Sequence, residues 1–458
     1  MQPRRNIALY WDTGDRRCAI ATKAEKRSGE KKGDPDERAI AITYDLPSLP
    51  SAQHKAGLAG LLLLIESMNR RRMGPLPEIT ELTPLGCTVA FTSENLQSIL
   101  DDLYDAENLE VVVKSKWKSK EPLRIKEIEI VNEETGEVKR EQRYVYETAG
   151  PKLSFLEALG MSGGREGWLK LRRDALWGTL RSIPKTREGY LDRVAGQSAS
   201  RSGLSRIWPE LVKQRDAIAK GSLRTVEVPS NLMIGAQAHS AEKVKFSGPA
   251  DQTLLLHFWQ VACLVYVPQV IDRDGKTQLD NSYIFAIPEV THLTDFVENF
   301  MHALGELGPE LIGYRPAESV VSIPEEGGLD YMSLLMARVQ KKAEQTAFFD
   351  SVSAVEVVHL KKKGNSVAML SNHRLEPDHA VLSDFEDIRR TYRSPLLRAH
   401  MIRNRVAGRP WFARFADLAA ITPAKLLINH SGAPWVARQL SWDAGKKFRL
   451  LQNDLKEG

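Results

Sequence analysis

The stretch TLLLHFWQVACLVYVPQVI (253–271), followed by the turn DRDGK and the run SYIFAIPEV (282–290), constrains the fold most. Both runs are almost wholly apolar. Side chains alternate across a sheet, so a strand that is apolar at successive positions has to be covered on both faces. These runs are therefore expected as strands inside the core of the body. The longest uninterrupted apolar run, AGLAGLLLLI (56–65), has about half the length needed to span a bilayer. Ser51 is placed to cap a helix that continues through AGLAGLLLLIESMNRR to the break at Gly74-Pro75.

Around this core the pattern is mixed. NIALYWD and RAIAITYDL are strand-like and are separated by the polar loop RSGEKKGDPDE. TVAFT predicts a strand, Ser93 a cap, and ENLQSILDDLYDAEN a helix with Leu96, Ile99, Leu100 and Leu103 on its apolar face. LEVVVKSKW predicts a further strand, and LRIKEIEIVNEETGEVKREQRYVYE alternates on both sides of a glycine-containing turn, the signature of a hairpin. From Pro151 to about Lys220 the period is helical, broken by MSGGREG and AGQSASRSGLS. Thr291 or Thr294 is expected to cap TDFVENFMHALGEL. The remainder is mostly helical, with VEVVHL and SVAML around KKKGN as a short hairpin. The expected class is α+β: a mixed α/β N-terminal body with antiparallel strands and inserted helices, then a C-terminal, mostly helical bundle. The expected boundaries are an α+β domain with a basic finger over 1–150, a helical insertion plus apolar strand core over 151–331, and a basic helical, small-subunit-like bundle over 332–458.

A length of 458 residues suits two or three domains. The three cysteines, Cys18, Cys87 and Cys263, form neither a disulfide framework nor a zinc pattern. No secretory signal stands at the N-terminus, and a reducing cytoplasm is the expected compartment. The net charge of +5 hides an asymmetry. Residues 332–458 hold 21 Lys plus Arg against 12 Asp plus Glu, whereas residues 1–331 hold 43 against 47. All the positive excess lies in the last quarter, as expected for a polyanion-binding part joined to a nearly neutral body.

Catalytic patterns are missing from the sequence: no GxxxxGK[ST] phosphate loop, no GxSxG elbow and no HExxH pair. His373 and His379 flank NHRLEPDHA and superficially suggest a metal-dependent nuclease, which would need further ligands and a positioned base. A polar loop between helices is the simpler reading of that stretch. Asp101, Asp102 and Asp105 imitate a carboxylate site but are expected on the solvated face of an amphipathic helix. The expectation is a protein without catalytic residues, metal or cofactor.

Residues 388–414, IRRTYRSPLLRAHMIRNRVAGRPWFAR, carry Arg389, Arg390, Arg393, Arg398, Arg403, Arg405, Arg409 and Arg414, with no acidic residue and no lysine. A solvated helix usually mixes both signs, whereas guanidinium forks suit phosphate oxygens. Tyr392, Trp411 and Phe412 are candidates for base stacking, the latter two more simply core residues. The alternative for the arginines is pairing with DFED (384–387) and the acidic body. In KSKWKSK (114–120), Lys114, Lys116, Trp117 and Lys118 read either as a finger crossing a nucleic-acid backbone or as an edge strand guarded by lysine. In SNLMIGAQAHSAEKVKF (230–246), Asn231, Gln237 and His239 are candidates for duplex contact, with a structural loop as the alternative. MSGGREG with Arg165 reads as a phosphate cradle or as a helix break.

HKAGLAGLLLLIESM, SNLMIGAQAHSAEKVKF and above all HFWQVACLVYVPQVIDRDGK with YIFAIPEV resemble the large subunit of type I CRISPR surveillance complexes (Cascade), in the Myxococcus-type branch related to type I-B. The resemblance runs from near the N-terminus to about residue 320. It implies a subunit at the end of the complex that holds the 5′ handle of the guide CRISPR RNA. Such a subunit recognises the short flanking motif (PAM) in target double-stranded DNA and helps open the duplex into an R-loop. The implied protein partners are Cascade backbone and handle-binding subunits, a helical small subunit, and a downstream helicase-nuclease or transposition module. No membrane is involved. A scaffold that binds only guide RNA is a blander alternative. The resemblance transfers no particular motif-reading residue.

The stretch EEGGLDYMSLLMARV (325–339) reads as an acidic, glycine-containing linker running into a helix. Charge and predicted class both change there, and relatives can make their small subunit from an internal start. Met332 is accordingly a candidate second start, giving Met332–Gly458 as a separate helical product.

Overall fold

The structure is a computed structural model that describes residues 6–10, 19–23, 39–118, 120–131, 138–180, 184–199, 204–228, 232–234, 246–271, 277–341, 351–363, 366–392, 394–421, 442–447 and 449. It is α+β, with antiparallel sheets and helices. The core is a six-stranded sheet. Thr277–Leu279, Leu264–Ile271, Tyr283–Val290, Val352–Lys363 and Ser366–Leu375 lie side by side in that order, all antiparallel, and Val320–Val321 adds a short parallel strand to Leu264–Ile271. Of the apolar runs expected as strands over 253–271 and 282–290, Leu264–Ile271 and Tyr283–Val290 are therefore central strands of the sheet. Leu264–Val267 and Tyr283–Pro288 are buried at every position.

The sheet register explains why. Tyr266, Ile284, Val357 and Leu375 project to one face, and Phe285, Ile287 and Glu289 to the other. The helix Ala52–Arg70 covers the Glu289 face, with its Lys55 Nζ 3.0 Å from Glu289 Oε1. Ser51 caps this helix by accepting from the His54 amide. The helix is apolar nearly all round and accordingly buried nearly all round. A Cβ at Gly57 or Gly60 would collide with the carbonyl oxygens of Leu255 and Phe258, so only glycine allows this backbone-to-backbone approach. That contact also marks a correction. Ala250–Leu255 and Trp259–Ala262 are short helices, not strand; the strand begins at Leu264.

Two three-stranded sheets flank the core. In one, Gly86–Phe91 lies between Ile40–Asp45 and Glu78–Thr83; in the other, Val138–Pro151 lies between Ala106–Val113 and Arg124–Val131. The hairpin expected over 123–147 is present, paired from Val131–Val138 outward to Arg124–Val145. Helix caps differ by a residue or two from expectation. Thr92, not Ser93, caps Ser93–Leu103 through a capping box with Asn95, and His292, not Thr291 or Thr294, caps Leu293–Glu306.

The linker expected at 325–331 is a helix. Pro324–Lys341 is continuous through Met332, covers the other face of the sheet, and buries Leu329, Tyr331, Met332, Leu335 and Met336. Gly327 and Gly328 are packing residues. A Cβ on Gly327 would sit 2.9 Å from Tyr266 Cδ2, and one on Gly328 would sit 2.6 Å from Val357 Cγ2 and 2.7 Å from Leu375 Cδ1. The hairpin Val352–Leu375 completes the body's own sheet, so the part after Met332 is not a helical bundle alone, and its strands share a core with residues 264–290. No described helix is long and apolar enough to cross a membrane.

Candidate nucleic-acid interface

The arginine stretch folds into two helices. Asp378 caps His379–Thr391 by accepting from the Ala380 and Val381 amides, and Leu382, Phe385 and Ile388 turn inward. Ser394 caps Pro395–Val406, with proline at the first helical position, where no amide is missed. Asp443, itself buried, accepts from the Ser394 amide at 2.9 Å. Gly408 (φ +65°) ends the second helix, with the Arg409 amide bonded to Asn404 O at 2.7 Å and the Gly408 amide to Arg405 O at 3.0 Å. This is the Schellman pattern. The buried Asn404 amide then donates to Trp411 O and Ala413 O, both at 2.8 Å, folding the following turn back onto the helix end.

The eight arginines divide by what they touch. Arg389 pairs with buried Asp330 and donates to Glu318 O at 3.0 Å. Arg398 pairs with Glu326, whose carboxylate is 1 % exposed. Arg405 pairs with Asp384. These three hold the C-terminal helices to helix Pro324–Lys341 and to each other. Arg390 and Arg414 are exposed and form short-range pairs with Asp387 at 2.6 Å and Asp417 at 2.7 Å, which cost little to exchange for another anion. Arg403 and Arg409 are exposed, and no ion pair engages them among the described residues. Arg393 lies outside the described residues. Phe412 is 46 % exposed beside these arginines, whereas Tyr392 is core; Trp411 packs edge-on against Phe415. Of the three stacking candidates, Phe412 is thus the one left open to solvent. The cations of this stretch that no ion pair engages among the described residues are thus Arg403, near the end of Pro395–Val406, and Arg409 in the turn that follows, while exposed Arg414 keeps only its short-range pair with Asp417.

The lysine turn lies between Ala106–Val113 and Arg124–Val131. Trp117 is not a free wedge: its ring stacks on Tyr146 at 4.1 Å between centroids, and its amide donates to Tyr146 Oη at 2.7 Å. Lys116 pairs with Glu121 at 2.7 Å, and that hydrogen bond holds its amine above the ordinary lysine range. Lys114 and Lys118 are exposed, with no ion pair among the described residues. The stacked tryptophan therefore acts as a support that presents two free lysines. Asn231, Gln237 and His239 lie outside the described residues.

The look-alike catalytic groups have structural partners. His373, on Ser366–Leu375, lies 3.7 Å from Glu325, while His379 opens the next helix. Among the described residues no group of three or more His, Cys, Asp and Glu side chains is placed to hold a metal. The three aspartates expected on a solvated face are tied down instead. Asp102 is 4 % exposed and receives a forked pair from Arg71 at 2.5 and 2.8 Å; Asp101 accepts from Ser198 Oγ and the Ala199 amide; Asp105 meets Lys152 at 3.5 Å. Arg165 is committed to carbonyls of Leu307, Ser162 and Gly305, which makes the MSGGREG loop a structural joint. The alternative expected for the arginines, pairing with DFED (384–387) and the acidic body, describes Arg390 with Asp387, Arg405 with Asp384, and Arg389 and Arg398 with Asp330 and Glu326 of the body.

Two family models match in succession along the chain. The type I-B CRISPR Cas8b N-terminal domain matches residues 76–345, and the type I-B CRISPR Cas8b C-terminal domain matches residues 352–458. The chain belongs to this family, the large subunit of the type I-B CRISPR interference complex. Among curated proteins, none matches it.

Proposed function

We propose that this chain is the non-catalytic subunit that recognises the target-flanking motif in duplex DNA, assists duplex opening, and stabilises the resulting R-loop beside the 5′ handle of the guide RNA. In such complexes base pairing by the guide reads the target, so the protein needs only to read the flank and grip the backbone. The observation that carries the reading is that each of two places presents two exposed cations that no carboxylate engages among the described residues: Arg403 and Arg409 at one helix end, Lys114 and Lys118 on the supported turn. Phosphate contacts position a protein, whereas base-edge contacts specify sequence. Replacing Lys114 and Lys118 with Glu in the assembled complex is expected to weaken binding to every flanking sequence to a similar degree, measured across a library of flanks. An altered preference among flanks would make the turn a reader; unchanged binding would remove it from the DNA path.

We also propose that Met332–Gly458 is made separately from an internal start. Met332→Leu keeps the volume of a fully buried side chain, so its cost to the fold is expected to stay below about 1.5 kcal/mol. With a C-terminal tag, the substitution is expected to abolish a short second product while the full-length band persists. A tagged wild-type gene that yields only the full-length band would end this proposal.

A further inference from the structure

Residues 442–447 and 449 are helical, and helical spacing divides their side chains between two faces. Asp443, Ala444 and Lys447 face the body. Asp443 is 4 % exposed and accepts from the Ser394 amide at 2.9 Å, Ala444 is buried, and Lys447 Nζ lies 5.9 Å from the centre of the Tyr392 ring. Trp442, Lys446 and Arg449 follow one another at i, i+4 and i+7 on the opposite face, and all three are exposed. At 70 % exposure, Trp442 is the most open aromatic side chain among the described residues.

The composition of this face selects its occupant. One π-surface is joined to two cations, with neither an acid nor an aliphatic side chain between them, and no ion pair engages Lys446 or Arg449 among the described residues. The core of a protein interface is depleted in lysine. Sites for single-stranded nucleic acid combine a ring, on which a base stacks, with cations for the backbone. Along the helix axis Trp442 and Arg449 are about 10 Å apart, roughly the rise of three stacked nucleotides. The adjoining end of helix His379–Thr391 does not reverse the balance. There Arg389 is committed to Asp330, Arg390 pairs with Asp387 at 2.6 Å, and Glu386 is exposed.

We propose that Trp442 is a stacking platform for an unpaired base of target DNA, with Lys446 and Arg449 on the flanking phosphates. The occupant is the displaced strand. Opening the duplex pairs one DNA strand with the guide and leaves the other with free base faces. The buried Asp443 fixes the backbone beside Trp442, so stacking costs little ordering of the protein. The inference rests on the duplex-opening reading above and adds the residue that holds the opened strand.

The test uses the complex assembled by co-expressing this chain with its partner subunits and guide RNA, and a target duplex with 2-aminopurine at successive positions of the displaced strand. Stacking quenches this base. At one position the quenching is expected to be lost in Trp442→Ala and largely restored in Trp442→Phe. Trp442→Ala is also expected to weaken target binding by about tenfold. The thermal midpoint of the free chain is expected to hold in both variants, because the ring already faces solvent. A photo-crosslinking benzoylphenylalanine in place of Trp442 is expected to join the chain to the displaced strand. A crosslink to guide RNA, to the target strand or to a protein subunit, or a fluorescence scan unchanged by Trp442→Ala, would overturn the stacking proposal alone. A parent complex in which every position keeps its duplex fluorescence has opened no DNA, and that result would overturn the duplex-opening reading as well.

Discussion

Replacing Arg398 with alanine is expected to destabilise the chain by about 3–5 kcal/mol, seen as a lower urea midpoint. The reason lies in what the substitution leaves behind. Glu326 is 1 % exposed, and its carboxylate has two partners, the Arg398 guanidinium and the Ser322 amide at 2.6 Å. Without Arg398 the charge stays buried with one hydrogen bond, and an uncompensated buried charge is far more costly than the pair was stabilising. Pairing Arg398→Ala with Glu326→Gln removes the charge and is expected to recover more than half of the loss. A single variant within about 0.5 kcal/mol of the parent would show that the pair is dispensable, as many exposed ion pairs are. The result also bears on function. Arg398 belongs to the arginine-only stretch, yet its effect on target binding is expected to follow from the displaced C-terminal helices, not from a lost phosphate contact.

Much of the architecture was legible because periodicity reports burial directly. The hairpin over 124–151 alternates around a glycine turn, and LVYVPQVI with SYIFAIPEV could only be central strands. TLLLHFWQVA was misread because an unbroken apolar run has no period to distinguish a buried helix from a buried strand. The discriminating feature was composition: that half has one β-branched residue besides Thr253, whereas LVYVPQVI has four. Gly327-Gly328 looked like a linker because glycine has the same letter whether it loosens a chain or lets a helix touch a sheet. The candidate interface was legible by position but not by role. The missing acids within 388–414 say nothing about acids brought in by folding, and Glu326 lies 72 residues upstream of Arg398 and Asp330 59 residues upstream of Arg389. Likewise Trp117 shows a basic, aromatic pattern, while its stack on Tyr146 is a contact between the turn and a strand that is visible only in three dimensions.

With Arg389, Arg398 and Arg405 assigned to carboxylates, the test of the nucleic-acid reading falls on Arg403 and Arg409. Changing both to glutamine in the assembled complex is expected to weaken target binding about tenfold or more at moderate salt, because two charge-assisted phosphate contacts are lost. The salt dependence is the sharper readout. Each phosphate contact releases about one condensed counterion, so the slope of log affinity against log salt is expected to fall by about two. Fold stability is expected to change by less than about 0.5 kcal/mol, since both side chains are exposed and unpaired among the described residues. Arg405→Gln makes the contrast. It frees Asp384, an exposed partner, and is expected to leave the salt slope within the error of the parent. Should the slope be unchanged in the Arg403/Arg409 variant, the positive excess of the last quarter would have to act elsewhere, and the C-terminal helices would serve only to close the core. If the slope falls by about two while the preference among flanking sequences is retained, these arginines grip the backbone of a strand whose sequence is read by other groups.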